Sequence, residues 1–286
     1  GISHEAGQFI VQENGRSIRM QFQYTESFVQ NSELPSLDPV ALKKTAGVIS
    51  FDTLPRIFDD CLPGGWGKRW LIRTKQLSRS EQRDFNLLKY MDPSHLGGLF
   101  FSDESEDSIS DLETASALTE AILTLDEKGE LITQAGLPTE AGHSSGGMRP
   151  KFTATLNDQP KLIKLESSQD KRDIVRLEHC CMAWAQQCGI RSANTSLLEI
   201  GNRMALSVDR FDINKWGGRH HKVSMRTLLQ ADEYTVGSYQ DMAHLLFRYS
   251  ADPKEDAKRL FEQMLFNIVI HNTDDHLRNF EMHFRE

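Results

Sequence analysis

The stretch HNTDDHLRNF (271–280) decides how this chain is read. It contains no glycine, follows the apolar run MLFNIVI (264–270), and concentrates Asp274, Asp275 and Asn279 with His271 and His276. Asp274 and Asn279 are five positions apart, so one short loop can present a carboxylate and an amide oxygen to the same point. Phosphoryl transfer uses such a pair: the carboxylate accepts the proton of the attacking hydroxyl, and the amide oxygen holds Mg²⁺ on the phosphates. His276, two after Asp274, is placed to orient the loop. Taken alone, D-x-x-x-x-N is a short pattern, and a polar loop closing a helix explains it equally well.

Working outward, four upstream features fall in a meaningful order. HSSGGMRPK (143–151) places Ser144, Ser145, Gly146 and Gly147 before a strand, where backbone N–H groups can approach phosphate oxygens that a side chain would block. Lys151 and Arg149 add positive charge there. Lys164 sits within the apolar strand LIKL (162–165). Glu178 is expected on the buried side of the next helix, on a stripe with Ile174, Leu177, Cys181, Met182 and Ala185. A carboxylate there is costly unless paired, and Lys164 is the upstream cation placed to reach it. MALSVDRFD (204–212) ends a strand on Asp209 and Phe211, where a kinase hinge would hold adenine. Singly, each has a bland explanation: a flexible turn, an exposed lysine, a surface ion pair. Gly/Ser loop, strand Lys, helix Glu, hinge, then Asp-x₄-Asn is the order of parts in a protein-kinase-like enzyme.

Composition bounds the rest. The chain has 286 residues, 38% of them apolar, and a formal charge of -8. That is length enough for two or three cores. No apolar run reaches the roughly 18 residues of a membrane span. The opening GISHEAGQF lacks Met and lacks a charged region followed by an apolar one, so a processed, tagged or trimmed start and no signal peptide are expected. Cys61, Cys180, Cys181 and Cys188 match neither a zinc spacing nor a disulfide framework, and are expected as buried, reduced thiols of a cytoplasmic protein. So acidic a chain is a poor candidate for wrapping nucleic acid unaided.

Along the chain, QFIVQENGRSIRMQFQY reads as a hairpin turning at Asn14-Gly15. A helix near 80–90 and a GGLFF strand at 97–101 follow. The acidic stretch 102–111 marks a boundary, and a helix is expected over 111–127. Strands are expected at 151–156 and 161–166 about Asn157-Asp158, and at 195–200 and 203–209 about Gly201-Asn202. A helix at 171–188 is expected to end at Gly189. Helices are expected at 225–231, 238–249 and 253–271, the last capped by Asp252-Pro253 with Glu255 and Asp256 in its first turn. The domains are therefore expected at 1–110, 111–211 and 212–286, with a cofactor cleft between two lobes.

These residues resemble the HipA family of bacterial serine/threonine kinases, the toxin half of toxin–antitoxin modules, over nearly the whole chain. FDDCLPGGWGKRWL and GGLFF are similar to the family's N-terminal subdomain, SSGGMRPK to its Ser/Gly loop, KLIKL to its lysine strand, and LEHCCMAWAQQCGI to its acidic helix. NRMALSVDRFD is similar to its hinge, and FNIVIHNTDDHLRNF to its catalytic loop, the most specific of the set. The resemblance implies an α+β, bilobal protein-kinase-like fold with a helical C-terminal lobe. It implies ATP and Mg²⁺ as cofactors, Asp274 as base with His276 beside it, and Asn279 as Mg²⁺ ligand. Lys151 and Lys164 would lie at the nucleotide phosphates, with Glu178 supporting Lys164 and Asp209 and Phe211 flanking the adenine. Ser144 would be the autophosphorylated loop serine, whose roughly -1.5 to -2 added charge ejects the loop and switches the enzyme off. The implied partners are a protein substrate such as an aminoacyl-tRNA synthetase or another translation factor, and a small helix-turn-helix antitoxin through which DNA is contacted. The family also has a second Mg²⁺-binding Asp and a further helical region after the catalytic loop, so a longer protein, or a pseudokinase, is expected. MRTLLQ (225–230) lacks an acidic residue that many members carry.

Three other functions fit parts of the pattern. A small-molecule kinase of the aminoglycoside or choline type shares the loop Asp, His and Asn, though the first 100 residues argue against it. A dead kinase that only docks a repressor would bind no nucleotide. A metal hydrolase built on His271, Asp274, Asp275 and His276 would act without ATP.

Overall fold

The computed structural model describes residues 3–15, 17–91, 95–101, 119, 122–124, 126, 149–201, 203–232 and 235–284. The chain divides into two compact units, Gly1–Asp60 with Asp212–Glu286, and Cys61–Phe211. The Ser/Gly loop with Ser144, Ser145, Gly146 and Gly147, and the acidic stretch 102–111, lie outside the described residues. Of the helix expected over 111–127, residues 119, 122–124 and 126 are described, and these are helical.

The first unit begins with the expected hairpin. Gly7–Asn14 pairs antiparallel with Ser17–Tyr24, and Gly15 takes the left-handed conformation (φ 62°) that the tight turn requires. A third strand, Val48–Phe51, adds to its edge. Alternation along Ser17–Tyr24 buries Met20, Phe22 and Tyr24. Phe22 and Tyr24 meet edge-on at 4.9 Å, and Phe22 meets Phe58 at 5.6 Å. Tyr24 donates its hydroxyl hydrogen to the Leu42 carbonyl and accepts from Leu37 N at 3.0 Å, so this ring also fastens the loop after residue 30. Burial raises Asp38 above the usual carboxylate range. Its oxygens accept from Val40 N (2.7 Å) and from Gln230 Nε2 (3.0 Å), tying the N-terminal segment to the C-terminal one.

Two longer helices complete this unit. Tyr239–Tyr249 starts with a capping box, in which Ser238 and Asp241 satisfy each other's backbone N–H groups. Pro253–Val269 starts with Asp252 as cap, Pro253 in its first turn, and Glu255 and Asp256 facing the positive helix end. Lys222–Ser224 and Glu281–His283 form a two-stranded ribbon, with Lys222 paired to Glu281 at 2.5 Å.

The second unit is built on an antiparallel sheet in the order Lys151–Leu156, Gln159–Leu165, Arg203–Asp209, Thr195–Ile200. Asn157 and Asp158 both have positive φ (50° and 59°), the mirror-image turn that suits strand twist. Alternation splits the sheet into two faces. Phe152, Ala154, Ile163, Leu165 and Ala205 pack with Trp66 and Trp70 of the helix Gly65–Thr74 and with Ile122 and Leu123. Leu162, Leu206 and Val208 pack with Val175 of the helix Ile174–Gln187 and with Leu96. That helix is capped by Asp173, which accepts from Arg176 N, and closes on Gly189 (φ 78°). There Ile190 N bonds Ala185 O and Gly189 N bonds Gln186 O, the paired closure that a left-handed glycine allows.

Four expectations are corrected. Residues 97–101 are not a strand: Gly97 turns the chain (φ 99°), and side chains satisfy the backbone there, with Arg210 donating to His95 O at 3.0 Å and the His95 ring bonding Leu99 O at 2.8 Å. The helix near 80–90 is two short pieces, Asp84–Leu87 and Leu88–Tyr90. On Ile174–Gln187 only Val175 and Ala185 are buried; Ile174, Glu178, Cys181 and Met182 of the expected stripe are half-buried, and Leu177 is 47% exposed. Only Cys61 is a buried thiol; Cys180 and Cys188 are exposed. Among the described residues, no helix is long and apolar enough to cross a membrane.

Candidate active site

The loop 271–280 is set up by how its helix ends. After Val269 the chain closes with Asn272 N bonding Asn267 O (2.9 Å) and His271 N bonding Ile268 O (3.2 Å). This closure demands a left-handed residue, and His271 occupies that position at φ 54°. A non-glycine there is strained by about 1 kcal/mol, partly offset by the lower flexibility of the unfolded chain. His271→Gly is therefore expected to leave stability unchanged or raise it by about 0.5 kcal/mol, and His271→Val to lower it by about 1–2 kcal/mol. Urea unfolding of the three proteins checks the order; a glycine variant less stable than the valine one contradicts it.

Beyond the turn, Leu277 and Phe280 are buried and root the loop. A Cβ at Gly237 would stand 2.4 Å from Leu277 Cδ2, so glycine is needed for that approach. A polar lattice fixes the intervening residues. Tyr239 donates to Asp275 Oδ2 (2.6 Å), and Asn267 Nδ2 donates to the Tyr239 oxygen (3.2 Å) and to Asp275 Oδ1 (3.3 Å). Burial, reinforced by the Asp275 carboxylate, pushes Tyr239 up to about 12, so it remains a donor at neutral pH. Asn272 Nδ2 donates to Asn267 Oδ1 (3.3 Å), and Asn272 Oδ1 accepts from Asp274 N (3.1 Å). Asn279 Nδ2 donates to Asp274 O at 2.6 Å.

The outcome is a carboxylate held by its backbone and exposed at its tip. The Asp274 side chain is 74% exposed, and His276 Nε2 faces its Oδ1 at 3.3 Å. With Nδ2 of Asn279 engaged, its Oδ1 is the atom left to serve as a hard oxygen ligand. Among the described residues, no three His, Cys, Asp or Glu side chains converge as a metal cage.

The second unit carries the other candidates. Lys164 and Lys151 are direct cross-strand partners, so they share one sheet face. It is the face covered by Ile174–Gln187, and there Lys164 Nζ pairs with Glu178 Oε1. Asp209 is on the opposite face by alternation. Its carboxylate takes Lys161 Nζ at 2.5 Å and Asn194 Nδ2 at 3.0 Å, and the Lys161 bond holds it below the usual carboxylate range. Phe211 is 46% exposed.

Sequence reasoning passed over Asn267, Tyr239, Asn272 and Arg278. Asn267 did carry a signal, being a polar residue inside MLFNIVI. It is buried, and such a group must find bonds. Nothing local marks Tyr239.

No curated protein sequence matches the chain. Its structure is similar to a chain in the Shewanella oneidensis MR-1 toxin–antitoxin complex of HipA, HipB and operator DNA. The TM-score is 0.71 at 18% identity, covering 98% of this chain and 72% of that one. The HipA N-terminal domain matches residues 3–101, and the HipA-like C-terminal domain matches residues 143–286. The chain belongs to the HipA family.

Proposed function

We propose that the chain is an ATP- and Mg²⁺-dependent serine/threonine protein kinase acting as the toxin of a toxin–antitoxin pair. The observation that carries this is the loop just described: an exposed Asp274 carboxylate on an immobilised backbone, with His276 beside it and an Asn279 oxygen available on the same loop. Asp274 accepts the proton of a substrate Ser or Thr hydroxyl and aligns its oxygen. His276 limits the directions that the carboxylate can take. Asn279 offers its Oδ1 to Mg²⁺, which neutralises phosphate charge when bound. Lys164, oriented by Glu178, and Lys151 on the same face supply cations for the nucleotide phosphates. The backbone at Asp209 and Phe211, at the end of the strand, flanks the adenine, while the Asp209 carboxylate stays with Lys161 and Asn194 on the other sheet face. Ser144 is the self-phosphorylated residue that turns the enzyme off, and the protein-kinase-like fold with its HipA-type N-terminal part belongs to this reading.

The proposed partners follow the same line. The similar structure is of a complex with HipB and operator DNA. A small helix-turn-helix antitoxin is accordingly the proposed partner here, with DNA contacted through it, in keeping with a charge of -8. The proposed substrate is a protein of the translation machinery. Intact-mass measurement after incubation with ATP and Mg²⁺ is expected to show one added phosphate, and peptide mapping to place it on Ser144. An unchanged mass, with no transfer to any protein, removes the kinase reading in favour of a docking role.

A further inference from the structure

The segment MRTLLQ, which the proposed chemistry does not use, meets the end of the N-terminal part in a buried charge cluster. Arg226 pairs with Asp59, and both are largely buried. Asp60 Oδ2 accepts from Ser224 Oγ (2.5 Å), Thr227 Oγ1 (2.6 Å) and Ser224 N (3.3 Å). Its other oxygen, Oδ1, is buried without a hydrogen-bond donor, and Arg226 Nε is buried without an acceptor. Arg226 Nε stands 4.0 Å from that oxygen and Arg278 Nε 3.9 Å from it. Arg278 also donates to Asp59 O at 3.1 Å. Two arginines thus face two aspartates, and the cluster is electrically balanced.

Arg278 belongs to the candidate catalytic loop. It sits in the short turn Leu277–Asn279, one residue before Asn279, whose amide grips Asp274 O. We propose that Asp60 is a positioning residue for the loop: clamped by Ser224 and Thr227, it aims Oδ1 at Arg278 and thereby sets where Asn279 and Asp274 stand. Three fixed donors on Oδ2 leave the carboxylate no freedom to rotate, and the Asp59 carbonyl gives Arg278 a second anchor. The catalytic consequence rests on the kinase reading; the mechanical one does not.

Asp60→Asn and Arg278→Gln test the idea in the full chain. Asn at 60 turns an N–H toward two Nε–H donors, and Gln at 278 removes the contact from the more exposed side. Both variants are expected to speed hydrogen exchange of the amides of residues 276–280. They are expected to lower kcat for phosphate transfer by about 10- to 100-fold while KM for ATP changes little. The double variant is expected to be no worse than the more damaged single one, and Arg278→Lys to recover part of the rate. If exchange at 276–280 is unaltered in both variants, Asp60 does not hold the loop, whatever the activity shows. Faster exchange with wild-type kcat per folded molecule reduces Asp60 to a purely structural residue and overturns the proposal. A wild-type protein that transfers no phosphate sinks the kinase reading, and the exchange result still decides the mechanical claim.

Discussion

Asp274→Asn is expected to lower phosphate transfer by about 10²–10⁴-fold and to leave the fold intact. The chemical part follows from the base: an amide cannot accept the hydroxyl proton, while size and hydrogen-bonding geometry are nearly preserved. The structural part follows from how the loop is held. Asp274 is fixed through its backbone, with its N–H on Asn272 and its carbonyl on Asn279. Its side chain is largely exposed and, among the described residues, faces His276. Labelled-phosphate incorporation and thermal unfolding, measured on the same preparation, separate the two effects. Labelling equal to wild type means that Asp274 is not the base. Lost labelling together with a collapsed melting temperature means that the loop itself, and not the proton acceptor, was damaged.

Arg226→Met is expected to destabilise the unit containing it by about 3–5 kcal/mol, the range for leaving a buried carboxylate without its partner. Arg226 is 7% exposed, Asp59 18% and Asp60 10%, so water cannot take over the lost contacts. Met keeps much of the length and apolar stem of Arg, which confines the change to charge and donors. Arg226→Lys should lose less, because it keeps the cation but not the planar fork. Urea unfolding followed by a probe within this unit reads both. A loss under about 1 kcal/mol for Arg226→Met is the value of a solvated surface pair and contradicts the buried assignment.

How far the chain could be read from its residues depended on the range of the forces involved. The hairpin at 7–24, the strands at 151–165 and 195–209, and the helices capped by Ser238 and Asp252 and closed by Gly189 are specified by neighbours a few positions apart. Local turn chemistry and alternation are enough there. The strand expected at 97–101 failed because the Leu99 carbonyl is taken by the His95 ring and not by a strand partner, with His95 itself anchored by Arg210, more than a hundred positions away. Leu177 is exposed although it lies on the expected apolar stripe, because the helix meets the sheet core through Val175. In the site, the Asp-x₄-Asn spacing was legible, and so was a possible Lys164–Glu178 contact. The lattice that immobilises the loop was not, since Tyr239 and Asp59 lie 36 and 219 positions from Asp275 and Arg278, which they hold.

That separation also bears on how the protein is made. Asp59 and Asp60 leave the ribosome more than 160 residues before Ser224, Arg226 and Thr227 exist, and earlier still than Arg278. Until then those two adjacent carboxylates lack Arg226 and Arg278, and bringing the distant segments together must overcome the entropy of a long loop. Cys61–Phe211 can assemble during synthesis from its own strands. The unit that carries Asp274 closes only when its last segment is delivered, so the proposed activity cannot arise on a half-made chain.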